Sequence, residues 1–226
     1  MNKEYTSLGL MSGTSGDGVD ASIIKSDGDS NYEDIKDQYF EYNNEIYQKI
    51  HTLKEKIHEI RDLEIFGKDL NQLEREITLF HASIVEKFNK YNLDLVGFHG
   101  QTIFHDSQKK FSRQIGDGKL LSQLTKKNIV YNFRENDILN GGQGAPLAPI
   151  YHKALMKHLK IIDQILIVNI GGITNITYLN RGNIFSTDIN EKLLGRSNIT
   201  FKKLNKNQPF VTSVPINFEN QEECKA

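Results

Sequence analysis

The chain has a single cysteine, Cys224, among its 226 residues. No internal disulfide can form, and a reducing cytoplasm is the expected compartment. Net charge is almost absent: 28 basic residues face 29 acidic ones. No global field would therefore draw the protein to nucleic acid or to an anionic membrane, and any anion it binds must be held locally. Long apolar runs are missing as well. Nowhere do the roughly 18 consecutive apolar residues of a membrane span occur, and the apolar stretch near the N-terminus is too short for a signal peptide. The glycine-rich segments lack the Gly-Lys-Ser/Thr of a Walker A loop. His51, His58 and His81 fall on helical stretches without metal-ligand spacing, and the sequence gives them no role.

What is present suits a soluble globular protein. Apolar residues make up 38% and charged residues 25%, with a mean hydropathy of −0.50, so burial can offset chain entropy. Strand-like residues run from Ser7 to Met11 and from Val19 to Ile24 around a glycine-rich turn, predicting a β-hairpin with a polar tip. A third strand is expected near Gln38 to Tyr42. Ile46, Ile50, Leu53, Ile57 and Ile60 follow helical spacing, and a longer stripe joins Phe66, Leu70, Leu73, Ile77, Phe80, Ile84 and Phe88. A short buried strand, Leu95 to Phe98, leads into a polar segment at its C-terminal end. Helix, strand and helix are then expected over Lys119 to Lys127, Ile129 to Phe133 and Pro149 to Leu159. A second glycine-tipped hairpin spans Gln164 to Leu179. This alternation predicts a duplicated α/β architecture, and the segment after Asn190 shows no sustained period.

Four motifs carry candidate chemistry. In Met11-Ser12-Gly13-Thr14-Ser15-Gly16-Asp17-Gly18-Val19-Asp20, the glycines let a phosphate approach the backbone and the hydroxyls can donate to it. Asp17 or Asp20 could hold Mg²⁺. A plain tight turn would look the same. In Gly97-Phe98-His99-Gly100-Gln101-Thr102, the imidazole and carboxamide stand where ligands of α/β sheets bind, and Gln101 can both donate to and accept from a sugar. A structural histidine is the competing reading of His99. In Asn132-Phe133-Arg134 with Asp137 and Gly141-Gly142-Gln143-Gly144-Ala145-Pro146-Leu147, Arg134 offers a fork of donors for a carboxylate, or pairs with Asp137. In Asn169-Ile170-Gly171-Gly172-Ile173-Thr174-Asn175-Ile176-Thr177, exposed amides could receive further phosphate oxygens.

These blocks, in this order, resemble the anhydro-N-acetylmuramic acid kinase family. It has Met-Ser-Gly-Thr-Ser-x-Asp-Gly-Val-Asp, then His-Gly-Gln-Thr, then Asp-Phe-Arg with Gly-Gly-Gln-Gly-Ala-Pro-Leu, then Asn-Ile-Gly-Gly-Ile-x-Asn-Ile-Thr. The resemblance runs from Ser7 to Asn190. It implies an actin-like, ribonuclease H-like α/β fold of two domains, the first over 1–135 and the start of the second over 136–190, with 191–226 a divergent tail. It implies ATP and Mg²⁺ as cofactors, a cytoplasmic homodimer, and phosphorylation of 1,6-anhydro-N-acetylmuramic acid with opening of its anhydro ring in cell-wall recycling. Gly13, Thr14, Ser15, Gly16, Asp17, Gly18, Val19 and Asp20, with Gly171 and Gly172, would bind ATP. His99, Gln101 and Arg134 would face the amino sugar.

The resemblance breaks at the family's Asp-Thr-Gly-Pro-Gly-Asn, whose Asp is the general base on the attacking water. Here the chain reads Ser186-Thr187-Asp188-Ile189-Asn190. Asp188 aligns with the catalytic Asp if Gly-Pro-Gly is absent, and Ser186 takes that place otherwise. Gly16 and Asn132 also depart, replacing Met and Asp. The expected outcome is a C-terminally incomplete or degenerate kinase of little activity. A non-catalytic remnant and another actin-fold sugar kinase are the alternatives.

Overall fold

Alternation of side chains along the first two strands builds a sheet with one buried face. β1 (Tyr5–Ser12) turns Leu8, Leu10 and Ser12 inward, and β2 (Gly18–Ser26) does the same with Val19, Ala21 and Ile23. β3 (Tyr32–Glu41) pairs antiparallel with β2 along its whole length. It starts well before the expected Gln38, because Glu33, Asp34, Lys36 and Asp37 mask its strand character. β3 is the sheet's edge, where charged side chains guard unpaired backbone groups.

The chain is described here by a computed structural model, covering residues 3–29, 31–106, 109–161, 164–169, 174–180 and 183–189. It divides into two units, Met1–Leu147 and Ala148–Ala226. The 191–226 segment, Gly171 and Gly172 lie outside the described residues.

In the first unit, α1 (Asn44–Lys56) begins at Asn43, whose side chain accepts from the Ile46 amide at 2.9 Å. It buries Ile46, Ile50 and Leu53. The apolar stripe then breaks at Ile57 into a short α2 (Ile60–Ile65), and α3 (Gly67–Lys87) carries the longer stripe into the core through Leu70, Leu73, Ile77 and Ile84. β4 (Leu95–Asp106) runs parallel to β1 on one side. Its other side is shared by β6 (Ile129–Tyr131), parallel to Val96–Phe98, and β5 (Phe111–Ile115), antiparallel to Gln101–Asp106. The sheet is therefore mixed, with strand order β3-β2-β1-β4-β5 and β6 beside β4.

The predicted strand end at Phe98 is corrected. β4 continues through His99-Gly100-Gln101-Thr102, because β5 folds back and pairs with its second half. α4 (Gly118–Thr125) starts at Asp117, which accepts from the amides of Lys119 and Leu120. A further helix, α5 (Phe133–Leu139), follows Asn132, whose φ of 59° is a left-handed conformation that Asn tolerates.

The second unit contains α6 (Pro149–His158), with proline in its first turn, and an antiparallel sheet of β7 (Ile165–Asn169), β8 (Thr174–Asn180) and β9 (Asn183–Ile189). β9 was not foreseen. Met156, Ile165 and Leu179 form its core, and buried His152 Nδ1 meets Thr177 Oγ1 at 2.9 Å. Among the described residues no helix is long and apolar enough to cross a membrane.

Candidate active site

The turn between β1 and β2 is closed by the Gly16 N–H, which donates to the Gly13 carbonyl at 3.1 Å. Gly16 has φ of +69°, and a Cβ there would stand 2.8 Å from Ile50 Cγ2. The positive φ favours glycine at this point, and any Cβ would have to displace the Ile50 side chain. Thr14 and Ser15 are exposed at the tip, and the Ser15 hydroxyl donates to Asp17 Oδ1 at 2.5 Å. That bond holds the Asp17 carboxyl below its ordinary range, keeping it ionised. Asp20 lies exposed on β2, opposite Met11 of β1. Val19 is wholly buried, so it anchors the hairpin in the core.

Beneath the tip lies a polar network. Gln101 is fully buried, and its Nε2 donates to the Gly13 carbonyl at 3.0 Å, while Oε1 has no partner among the described residues. Ser12 Oγ sits 2.9 Å from Tyr42 Oη and 3.3 Å from His81 Nε2, all three residues being buried. His81 Nδ1 lies 2.8 Å from the Ile77 carbonyl, which only accepts, so Nδ1 carries the proton. Nε2 then accepts from Ser12, and Tyr42 donates to Ser12. Burial pushes the imidazole down to about 4 and the Tyr42 phenol up. Helical position and the absence of metal-ligand spacing leave His81 without a role in the sequence. The usable signal was its place four residues after Ile77, on the buried stripe of α3.

The same logic fixes His99. Its Nδ1 is 2.7 Å from the Gly100 carbonyl and therefore donates, leaving Nε2 to accept from Arg134 Nε at 2.9 Å. Burial, reinforced by the Arg134 charge, lowers its pKa to about 4. His99 is thus a neutral acceptor that aims the guanidinium. Arg134 Nη1 also donates to the Gly144 carbonyl at 2.7 Å. Asp137 closes the adjoining turn: its Oδ2 accepts from the Gly144 amide at 2.8 Å, and its carbonyl accepts from Gly142 at 2.8 Å. A Cβ on Gly142 would fall on the Asp137 carboxylate. Replacing Asp137 with Ala would strand the buried Gly144 amide, and a loss of about 1–3 kcal/mol is expected in urea unfolding.

β4 and its flanks thus bring together the Gly13–Asp17 turn, Gln101, His99 and Arg134. A family model described as anhydro-N-acetylmuramic acid kinase matches residues 5–188. The chain belongs to the anhydro-N-acetylmuramic acid kinase family. Anhydro-N-acetylmuramic acid kinases of Pelagibacter ubique, Agrobacterium fabrum and Rhizobium etli are 62%, 41% and 40% identical to it. The matches cover 78%, 80% and 79% of this chain but 48%, 51% and 50% of those relatives. The chain thus spans about half the length of the curated relatives it matches.

The family match ends at Asp188, which sits in the β9 ladder opposite Asn175. Ser186, the other alignment, pairs with Thr177 two residues earlier in that ladder. Among the described residues no group of three or more His, Cys, Asp or Glu gathers to hold a metal. The donor set at the tip fits Mg²⁺ bound chiefly by phosphate oxygens and water, with one carboxylate, the ionised Asp17, to help. Asp20 is the second oxygen donor on the same hairpin.

Proposed function

We propose that this chain serves the ATP-dependent phosphorylation of O6 of 1,6-anhydro-N-acetylmuramic acid, with water opening the anhydro ring to give N-acetylmuramic acid 6-phosphate in cell-wall recycling. The fold would be actin-like, the setting cytoplasmic and the assembly a homodimer, as the resemblance implies. The observation that carries the reading is that two nearby residues of β4 reach both parts of the site: His99 accepts from the Arg134 guanidinium, and Gln101 holds the Gly13 carbonyl of the glycine turn. A sugar bearing a lactyl carboxylate and a phosphate donor need such a pair of neighbours.

In this reading the Gly13–Asp17 turn receives the phosphates of ATP through its amides and the Thr14 and Ser15 hydroxyls. Bound Mg²⁺ would neutralise charge on the transferring phosphoryl group. Arg134 binds the lactyl carboxylate, and His99 and Gln101 set the positions of Arg134 and the turn. Asp188 is the general base that takes a proton from the water attacking C1. Replacing Arg134 with Ala is expected to weaken 1,6-anhydro-N-acetylmuramic acid binding by about tenfold or more in calorimetric titration. The anhydro-N-acetylglucosamine analogue, which lacks the carboxylate, should bind both proteins equally.

A second reading, a non-catalytic member of the family, draws on Asp188. Its backbone is paired in β9, without the Gly-Pro-Gly turn that would present a carboxylate, and a displacement of about 1 Å can cost a hundredfold in rate. Incubation of the purified chain with ATP, Mg²⁺ and the anhydro sugar separates the two. Formation of the 6-phosphate, lost in Asp188→Asn, supports the kinase. Absence of turnover, with weak sugar binding or none, supports the second reading and sinks the first.

A further inference from the structure

α1 brings a cation to the glycine turn. Ile50 and Lys54 are four residues apart and share one face of the helix. Ile50 is fully buried and packs where Gly16 has no Cβ, so the helix can approach the turn closely. One turn further along α1, Lys54 Nζ donates to the Thr14 carbonyl at the tip. We infer that Lys54 is a polyphosphate-binding residue of this site, its ammonium covering the Thr14 carbonyl and meeting the anionic ligand that the turn accepts. This deepens the reading of the Gly13–Asp17 turn as a phosphate site and rests on it.

Three observations support the assignment. First, Lys54 has no carboxylate within ion-pairing distance among the described residues, whereas Lys25 pairs with Glu4 and Lys49 with Glu45 and Glu76. A partly buried cation without a counter-ion is poorly solvated, and burial lowers the Lys54 pKa accordingly. A phosphate would supply the missing charge. Second, an ammonium has three donors and Thr14 occupies one, so two remain for ligand oxygens. Third, an uncovered carbonyl at the tip would repel phosphate. Lys54 replaces that partial negative charge with a positive one at the place where Thr14 and Ser15 present their hydroxyls.

The test uses the full chain and inorganic tripolyphosphate without metal, a probe that needs no adenosine pocket. Binding is followed through the backbone amide signals of Gly13–Asp17 in NMR titrations at low and high salt. Lys54→Gln keeps a donor for the Thr14 carbonyl but removes the charge, and Lys54→Met keeps the alkyl stem as a second neutral variant. Both should bind about tenfold more weakly than wild type at low salt, with the gap narrowing as salt screens the charge. Lys54→Arg should stay within about threefold, and Lys25→Gln should change nothing. Neutral variants that bind as wild type does, or that lose affinity equally at every salt concentration, would overturn the inference while leaving the turn a phosphate site. Wild-type amides that do not respond to tripolyphosphate would overturn both.

Discussion

Acidification from neutral pH to about pH 4 is expected to remove roughly 3 kcal/mol of the first unit's stability through His81 alone. Burial lowers this imidazole from its ordinary 6.5 to about 4 in the folded chain. Between those values the unfolded chain binds a proton that the folded one refuses. The stabilisation is therefore complete above pH 6.5 and is lost progressively as the pH falls toward the folded value. His99 acts in the same direction, through burial and then the Arg134 charge. Urea unfolding at a series of pH values, followed by circular dichroism, measures the slope. His81→Asn can still donate to the Ile77 carbonyl but cannot titrate. It should be less stable at neutral pH and show a flatter slope below pH 6.5. An unchanged slope in that variant would place the acid sensitivity elsewhere.

Gly100→Ala is expected to cost about 3 kcal/mol or more and to abolish sugar binding with it. Gly100 has φ of +71°, and a Cβ would stand 2.7 Å from the carbonyl oxygen of Ile115. That obstacle is backbone, so no rotamer change relieves it, and Ile115 is itself fully buried. β5 would have to shift, taking with it the register that places Gln101 and His99. Gly28→Ala provides the control. Its φ is +78°, but nothing lies within 4 Å of the added carbon, so only the conformational strain of about 1 kcal/mol is expected. Equal losses at the two positions, measured by urea unfolding, would show that the Ile115 contact is unimportant.

The hairpin and the long α3 stripe were legible because each buries one face at a single period, two along β1 and β2 and close to four along α3. β3 was read short because an edge strand can be charged on both faces. β5 and α5 were missed because neither carries a period of its own. β5 has five residues, of which only Ile115 is buried, and α5 buries none of its seven. At the candidate site the motifs gave the residue types but not their division of labour. Gln101 and His99 read as sugar-facing residues in a sequence, and only the three-dimensional contacts add that one also holds the Gly13 carbonyl and the other accepts from Arg134. Lys54 and His81 carry no motif at all, and only the packing of α1 and α3 brings the first to the tip of the turn and the second beneath it.

The bond from Gln101 to Gly13 spans 88 positions of sequence. A local hairpin can close within microseconds, but this anchor exists only where β4 is docked beside β1. An excised hairpin would keep its glycines and hydroxyls yet lack the amide that orients the Gly13 peptide, so ligand affinity at the turn is a property of the completed sheet.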